Sequence, residues 1–317
     1  MYNLTSSVAE ASIIAATTLK QNPYHYVPTK WVCVLLVVLF SVSGVIHLGE
    51  AIAYRMWWLL PTAVLACIAE VIGWVARTIS SGNPYSLNPY LIQITATIIA
   101  PTPLVAANFV ILGKIIERLG SQYSRLGARS YTIIFCSCDA IALVVQALGG
   151  AVATKEVNKQ ERPDKGGHIM LAGIVFQMAA ICVYVACASE FLFRFYSNKP
   201  LRAAPLSSTG STSSMADPNK LQPRAALDMK MQMMILELVL STIFIFIRSV
   251  YRTVELSDGW NGPIISTQVY FNVLDGAMIV LASYTLNILH PGYLLKTAYN
   301  PVRRASDEYA LSSRSKA

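Results

Sequence analysis

The sequence predicts an all-α, polytopic membrane protein with seven transmembrane helices. Hydrophobic residues make up 54% of the 317 residues, and only 13% are charged, about half the roughly 25% of soluble domains. The charges are also segregated, because seven apolar stretches hold 160 residues but only 7 of the 42 charged ones. Each stretch reaches the roughly 20 residues that a helix needs to cross about 30 Å of hydrocarbon. These features exclude a disordered chain and a typical cytosolic enzyme.

The predicted spans cover about residues 31–53, 57–76, 91–113, 131–152, 169–193, 231–250 and 263–289. Pro101 and Pro103 interrupt the third span near its middle, so we expect a kinked helix that is packed inside the bundle. Aromatic residues cluster at the ends of the spans, and this distribution predicts an interfacial belt. Its members are Tyr24, Tyr26, Trp31, Trp57, Trp58, Tyr131, Tyr251 and Trp260.

The basic residues predict the orientation of the chain. With the N-terminus outside, the cytosolic loops and tail carry 16 Lys and Arg residues and the opposite side carries 9. The sequon Asn3-Leu4-Thr5 is a glycosylation candidate on that outer end. We therefore expect an extracellular segment over residues 1–27, a membrane domain over 28–292 and a cytosolic tail over 293–317. The plasma membrane is the first expectation, and other endomembranes stay open.

A Ser- and Pro-rich stretch separates the fifth and sixth predicted spans. It covers about residues 196–228 and includes eight consecutive Ser, Thr and Gly residues from Ser207 to Ser214. This composition is typical of a flexible cytosolic linker rather than of a folded domain.

Polar residues inside the spans recur at helical spacing. A charge at the bilayer centre costs about 2.5–3.5 kcal/mol, so such residues are expected to face the bundle interior or a wet cavity. The stripes are Glu70, Gly73 and Arg77 in the second span; Asp139, Gln146 and Gly150 in the fourth; Glu237, Ser241, Arg248, Arg252 and Glu255 in the sixth; and Gln268, Asn272 and Asp275 in the seventh. Periodicity fits a polar pathway and a bracing network equally well.

Three interpretations of these charges stay open. In the first, Arg77 and Arg248 neutralise Glu70 or Glu255 as structural ion pairs. In the second, the ammonium group of an amphipathic cation meets Glu70, Asp139 or Asp275. In the third, the same groups form a proton relay.

Enzymatic chemistry is not expected. The six cysteines all lie inside apolar stretches and are interpreted as buried small hydrophobes, not as a disulfide framework or a zinc site. The four histidines form no H-x-x-x-H or H-E-x-x-H motif, and His47 is expected to be a hydrogen-bonded residue of the bundle. We therefore expect no metal, no cofactor and no intramembrane hydrolase activity. A P-loop motif and a basic run interleaved with aromatics are both absent from the sequence, which argues against ATP-driven pumping and nucleic-acid binding.

An ordered set of residues carries a family resemblance. In chain order it comprises Pro28, His47, Glu70-Val-Ile-Gly73-Trp74-Val-Ala-Arg77, Pro101, Asp139, Gln146-Ala-Leu-Gly149-Gly150, Gly173, Gln177, Arg248-Ser-Val-Tyr251-Arg252-Thr-Val-Glu255, Gly259, Asp275 and His290-Pro291-Gly292. With this set the chain resembles the fungal lipid-translocating exporter family, the seven-helix proteins named for aminocholesterol resistance. The resemblance covers about residues 28–292.

The resemblance implies export or translocation of sphingoid long-chain bases and tolerance to toxic amphiphiles, with membrane lipids and small amphipathic cations as partners. The competing interpretation is a seven-helix lipid receptor or sensor that signals through its cytosolic loops. Gln268 and Asn272 stand where that family usually has a Glu and a Tyr, so one negative charge is missing ahead of Asp275. We expect this difference to affect substrate specificity.

Overall fold

A computed structural model of the chain describes residues 22–159, 164–201, 228–259 and 262–296. In this part of the chain all regular secondary structure is helical, and seven helical segments are long and apolar enough to cross a membrane. The predicted all-α, seven-span architecture is confirmed. The sequon at Asn3, Trp260, most of the predicted linker and residues 297–317 lie outside the described residues.

The seven spans follow the predicted order. They are Lys30–Tyr54, Trp57–Gly82, Leu87–Leu119, Ala128–Glu156, Asp164–Tyr196, Met229–Ser257 and Gln268–Leu294. Three of them are composite. The second span contains a 3-10 turn (Trp57–Leu59), a π-helical turn (Leu60–Val64) and an α-helix (Leu65–Gly82); the third consists of Leu87–Ile99 and Pro101–Leu119; and the seventh combines Gln268–Tyr270, a π-helical segment (Phe271–Ala277), Met278–Ile288 and Pro291–Lys296.

Several predicted boundaries were wrong by more than three residues. The second, third and sixth spans end at Gly82, Leu119 and Ser257, because a helix continues into the interface after the apolar stretch that marks it in the sequence has ended. The seventh span begins at Gln268 rather than at Pro263, since residues 262–267 form a turn ahead of the helix.

The third span lies at the centre of the bundle, as predicted. The share of its apolar window that is buried, 67%, exceeds that of any other span. The α-helix breaks between Ile99 and Pro101, where proline lacks the N–H that would continue the ladder. Against its second helix, Pro101–Leu119, the rings of Phe109, Phe135 and Tyr184 pack with centroids 4.8–5.5 Å apart.

The fourth and fifth spans form the most extensive helix pair of the bundle. Gly173 permits this close packing, because a Cβ at that position would lie 2.8 Å from Cγ of Gln146. Small residues at helix interfaces are typical of membrane bundles. Large aliphatic side chains cover the outer surface, among them Val45 and Ile52 of the first span and Ile133 and Val144 of the fourth, as expected for a surface that faces lipid.

The predicted aromatic belt is only partly correct. Trp31 and Trp57 are exposed at span ends, whereas Tyr24, Tyr131 and Tyr251 are buried. The buried hydroxyls have specific partners: that of Tyr24 donates to Ser80 (3.0 Å), and that of Tyr251 donates to Glu255 (2.7 Å). Composition at a span end does not distinguish a ring that faces lipid headgroups from one that turns inward to a hydrogen-bond partner.

Candidate functional site

The densest polar cluster of the described chain is centred on Asp275. Arg252 donates from Nε to Oδ1 and from Nη2 to Oδ2, both at 2.8 Å, and so binds the carboxylate in a bidentate manner. Arg248 adds an ion pair from Nε to Oδ1 at 2.9 Å. Arg252 also pairs with Glu255 through Nη1 (2.8 Å) and donates to Thr97 Oγ1 (2.9 Å). We call Arg248, Arg252, Glu255 and Asp275 the outer charge network, where inner and outer follow the predicted orientation; its formal charges balance.

Two glycines let neighbouring spans reach this network. A Cβ on Gly276 would lie 2.6 Å from Cζ2 of Trp74, and a Cβ on Gly73 would lie 2.7 Å from Cγ2 of Thr97. Glycine at these positions therefore allows the second span to approach both the seventh and the third. The close approach brings Thr97, which contacts Arg252, into the bundle interior.

Arg77 lies in an aromatic cage rather than in an ion pair. Its guanidinium carbon is 4.3 Å from the ring centroid of Phe271 and 5.3–5.6 Å from those of Tyr24, Tyr26 and Trp74. Its Nη2 donates to the hydroxyl of Tyr26 at 2.8 Å. Among the described residues no carboxylate lies within 4 Å of this fully buried cation.

Burial affects the two tyrosines of this cage, which precede the first span. It raises the pKa of Tyr24 to about 12, and it raises the pKa of Tyr26 although the Arg77 charge acts in the opposite direction. Both phenols are therefore neutral at physiological pH. Arg77 is thus solvated by neutral rings in a cation–π arrangement, by the Tyr26 hydroxyl and by Oε1 of Gln93, which accepts from its Nη1 at 3.5 Å.

The first of the three interpretations, in which Arg77 and Arg248 neutralise Glu70 or Glu255, is wrong: among the described residues Arg77 has no carboxylate partner, and Arg248 has a different one. Arg248 pairs with Asp275, and Glu255 pairs with Arg252. Glu70 accepts one hydrogen bond, from Trp74 Nε1 at 3.1 Å, while its other oxygen has no donor among the described residues. Because seven residues of helix rise about 10.5 Å, Glu70 and Arg77 share a face but not a contact.

The polar stripe of the seventh span is also altered. Asp275 is buried, but Gln268 and Asn272 are only half-buried, and Gln268 accepts from Thr29 of the chain just before the first span (3.1 Å). The prediction assumed 3.6 residues per turn, whereas Phe271–Ala277 is π-helical and has a wider turn. The stripes of the second and sixth spans are buried as predicted.

A second cluster lies between the third, fourth and fifth spans. Gln146 donates to Gln177 (3.0 Å), and Gln177 donates to Thr102 (3.1 Å). Asp139 is buried beside the Gln177 amide, without the geometry of a hydrogen bond to either of its carboxylate oxygens. The Oε1 atom of Gln146 also lacks a donor among the described residues. A narrow cleft joins this amide pair to the outer charge network; it is lined by Ile98, Gln146, Ile174, Gln177, Met178, Arg248, Ser249 and Arg252.

Glu237 is the most isolated charge-bearing side chain of the interior. It is fully buried, and neither carboxylate oxygen has a donor among the described residues. One turn along the sixth span, Ser241 donates to Oδ1 of Asn108 (3.2 Å). The Tyr184 hydroxyl donates to the Asn108 carbonyl oxygen at 3.5 Å.

The buried polar residues of the sixth span form one line across the bundle. From Glu237 to Glu255 the helix rises about 27 Å, close to the roughly 30 Å of a hydrocarbon core. Ile245, itself buried, separates the inner pair Glu237 and Ser241 from Arg248 and the outer charge network. The buried face of the sixth span is therefore polar at two levels with the apolar Ile245 between them.

A third cluster connects the first span to the end of the seventh. His47 Nδ1 lies 3.3 Å and His290 Nε2 lies 3.6 Å from the same oxygen of Glu50. His47 Nε2 lies 3.3 Å from Ser283 Oγ, so the histidine is hydrogen bonded as expected. His290 Nδ1 accepts from the Gly292 N–H (3.1 Å).

Sequence reasoning missed several of these residues. Glu50 had a signal, because it follows His47 by three residues and shares its helical face. The sequence contains no signal that would mark Thr97 and Phe271 as site residues, since an isolated Thr or aromatic residue in an apolar stretch does not differ from ordinary packing residues. Tyr26 was assigned to the interfacial belt instead.

These features define a multi-pass integral membrane protein with a charged, hydrogen-bonded interior, the general construction of transporters and membrane receptors. Residues 63–298 match the model of the family described as RTA1 like protein. The chain therefore belongs to the RTA1-like family, and the predicted resemblance to fungal lipid-translocating exporters is confirmed.

Three relatives of Saccharomyces cerevisiae illustrate the family. The chain is 28% identical over 274 residues to the sphingoid long-chain base transporter RSB1 of strain Lalvin EC1118 / Prise de mousse. The aligned region covers 83% of this chain and 72% of the relative. It is 26% identical over 283 residues to Protein RTA1 of strain ATCC 204508 / S288c, with 81% of each chain covered. It is 28% identical over 218 residues to Protein RTM1, with 68% of this chain and 62% of the relative covered. No solved structure matches the chain.

Proposed function

We propose that this protein translocates amphipathic lipids across a membrane, with sphingoid long-chain bases as the substrate class, and that it thereby confers tolerance to them. The sequence similarity to RSB1, which is named as a transporter of such bases, supports the substrate class. A non-enzymatic role agrees with that name.

The observation that carries the proposal is the set of unsatisfied acceptors around Asp139. A protonated long-chain base has an ammonium group and hydroxyls, all of which donate hydrogen bonds. Both oxygens of Asp139 and Oε1 of Gln146 are buried acceptors that no described residue satisfies. Buried acceptors are costly unless they are paired, so they form an environment that favours a donor-rich cation.

An amphipathic substrate also needs an apolar surface for its tail, and the cleft contains such a surface. Gln146 and Gln177 line its polar part, while Ile98, Ile174 and Met178 line its apolar part. A headgroup beside the glutamines would leave the tail against aliphatic side chains and lipid.

Asp275 is a poor partner for a lipid ammonium, because two guanidinium groups already neutralise it. The outer charge network therefore serves as a brace, and the inner acceptors serve the substrate. The full set of residues assigned to the headgroup path or its bracing is His47, Glu70, Arg77, Asp139, Gln146, Gln177, Glu237, Arg248, Arg252, Glu255, Gln268, Asn272 and Asp275. The N-terminus is assigned to the outside, the tail to the cytosol, and the protein to the plasma membrane.

The direct test is transbilayer movement of a fluorescent long-chain base in liposomes that contain only the purified protein. We expect faster movement than in protein-free liposomes and at least a several-fold loss with Asp139→Asn. Glu117→Gln is the matched control, since Glu117 is an exposed carboxylate at the end of the third span. A neutral amphiphile of equal tail length should be less sensitive to Asp139→Asn. Absence of protein-dependent movement contradicts the proposal, and saturable binding without movement favours a lipid receptor.

Deletion of residues 207–217 distinguishes a lipid translocator from a lipid receptor in cells. A translocator needs this Ser-rich segment only as a tether, so tolerance should persist. Loss of tolerance at normal membrane abundance would point to a receptor that signals through this loop.

A further inference from the structure

Glu237 is a buried carboxyl group for which the described residues provide no contact that would explain its place in the proposed path. The side chain has 0% exposure, and neither oxygen accepts a hydrogen bond or lies within 4 Å of a basic group in the described chain. An isolated carboxylate in such a place is neutralised by a proton or by a cation from outside the protein.

Among the described residues no basic group forms an ion pair with Glu237. The fifth span contributes Tyr184, a neutral phenol that donates to a backbone carbonyl. Lys114 of the third span instead contacts Trp58 of the second. His290 and Tyr284 of the seventh span instead contact residues of the first. None of these four groups therefore neutralises Glu237.

Glu237 and Asp139 approach the same helix at two levels. Asp139 lies beside Gln177, and Glu237 lies close enough to Tyr184 to interact electrostatically with it. Gln177 and Tyr184 are separated by about 10.5 Å along the helix of the fifth span. A lipid cation beside Asp139 thus enters an inner half of the bundle that contains two carboxyl groups. Entry of that positive charge is most favourable when a carboxyl group releases a proton.

We infer that Glu237 is the coupling proton site of an electroneutral exchange between protons and an amphipathic cation. As the cation enters the inner half, the O–H bond of the Glu237 carboxyl breaks and the proton leaves to water, so the carboxylate balances the arriving charge. When the cation leaves, the carboxylate takes up a proton from water. One proton moves against one cation, and the charge of the bundle is unchanged. This inference rests on the proposed function.

The test uses proteoliposomes and a fluorescent long-chain base whose nitrogen is trimethylated. The probe keeps the positive charge and the hydroxyl donors of a long-chain base, although its nitrogen no longer donates. Because its charge is fixed, it cannot cross the bilayer as a free amine and follow the pH gradient unaided. With vesicles made one pH unit more acidic inside, one-for-one exchange should accumulate the probe in the inner leaflet by about tenfold. A dye inside the vesicles should report proton efflux that depends on the probe.

Glu237→Gln should abolish both the accumulation and the probe-dependent proton efflux, while Glu117→Gln should retain both. Glu237→Asp, which keeps a carboxyl group, should retain coupling and so excludes a folding defect as the cause. Accumulation that persists in Glu237→Gln overturns the inference. Proton efflux lost in Asp139→Asn but kept in Glu237→Gln transfers the role to Asp139 and also overturns it.

An infrared measurement separates this inference from the proposed function. Purified protein in nanodiscs should show the carbonyl stretch of a protonated carboxylic acid at neutral pH, with a component that Glu237→Gln removes and Glu117→Gln leaves. If the wild type moves no lipid but has this component, the translocation proposal fails and Glu237 remains a proton site. If lipid moves and the component is absent, the coupling inference alone is wrong.

Discussion

Replacing Asp275 with Asn tests whether the outer charge network braces the fold. The side chain keeps its shape, but one acceptor oxygen becomes an NH2 donor and the negative charge is lost. One of the two Arg252 N–H groups that bind the carboxylate then faces the NH2 donor of the new amide instead of an acceptor. Arg248 loses the carboxylate that lies 2.9 Å from its Nε. The network changes from two cations with two anions to two cations with only Glu255.

Removing one partner of a buried ion pair costs about 3–5 kcal/mol, because the remaining charge stays buried without compensation. We expect Asp275→Asn to lower the free energy of unfolding by this amount, which corresponds to roughly a 150- to 5,000-fold change in the ratio of folded to unfolded protein. Asp139→Asn should change it by less than about 1 kcal/mol, since Asp139 has no ion-pair partner to abandon.

Unfolding of the purified protein in detergent, followed by loss of helical circular dichroism, measures both variants. The double variant Asp275→Asn/Arg248→Gln should recover at least half of the loss, because Arg252 and Glu255 then form a balanced pair. Equal losses for Asp275→Asn and Asp139→Asn, or no recovery in the double variant, would refute the bracing role.

Three further outcomes are expected. Glu70→Gln should change the free energy of unfolding by less than about 1 kcal/mol, and Arg77→Gln should not rescue it, because the two side chains make no contact; mutual rescue in the same unfolding assay would reveal a pair. The free energy of unfolding should fall by on the order of 2 kcal/mol from about pH 10 to 12, since the unfolded state releases the Tyr24 proton near pH 10 and the folded state near 12. In Tyr24→Phe the free energy of unfolding, measured across this range, should depend less on pH. Tags at both ends should place the N-terminus outside; detection of the C-terminal tag in unpermeabilised cells contradicts the orientation.

Most of the fold could be predicted from the sequence because hydrocarbon imposes a simple rule. A span must be apolar and about 20 residues long, and each of the seven predicted stretches contains or overlaps one helix of the structure. The errors occurred where that rule does not act. Helix ends in the interface, such as Ser257, and the π-helical turn that begins at Phe271 depend on local packing, which mean hydropathy does not record.

The candidate site was predictable in composition but not in pairing. Helical periodicity placed the sixth-span polar residues on one buried face, because a membrane penalises charges that face lipid. It could not show that Asp275, and not Glu70, would receive Arg248, since the contact depends on how far the second and seventh spans approach each other. That approach is set by Gly276 against Trp74, a tertiary detail with no periodic signature.

The distribution of compensated and uncompensated charge bears on substrate specificity. A cationic headgroup that binds at Asp275 must displace Arg248 or Arg252, and this exchange of one cation for another yields little free energy. At Asp139 it would meet acceptors that no donor among the described residues satisfies, so no hydrogen bond of this part of the chain is broken. The difference from the family that is expected at Gln268 and Asn272 therefore leaves the inner acceptors intact. Its effect should appear in the bracing of the outer half, while affinity for the ammonium group remains with the inner carboxyl groups.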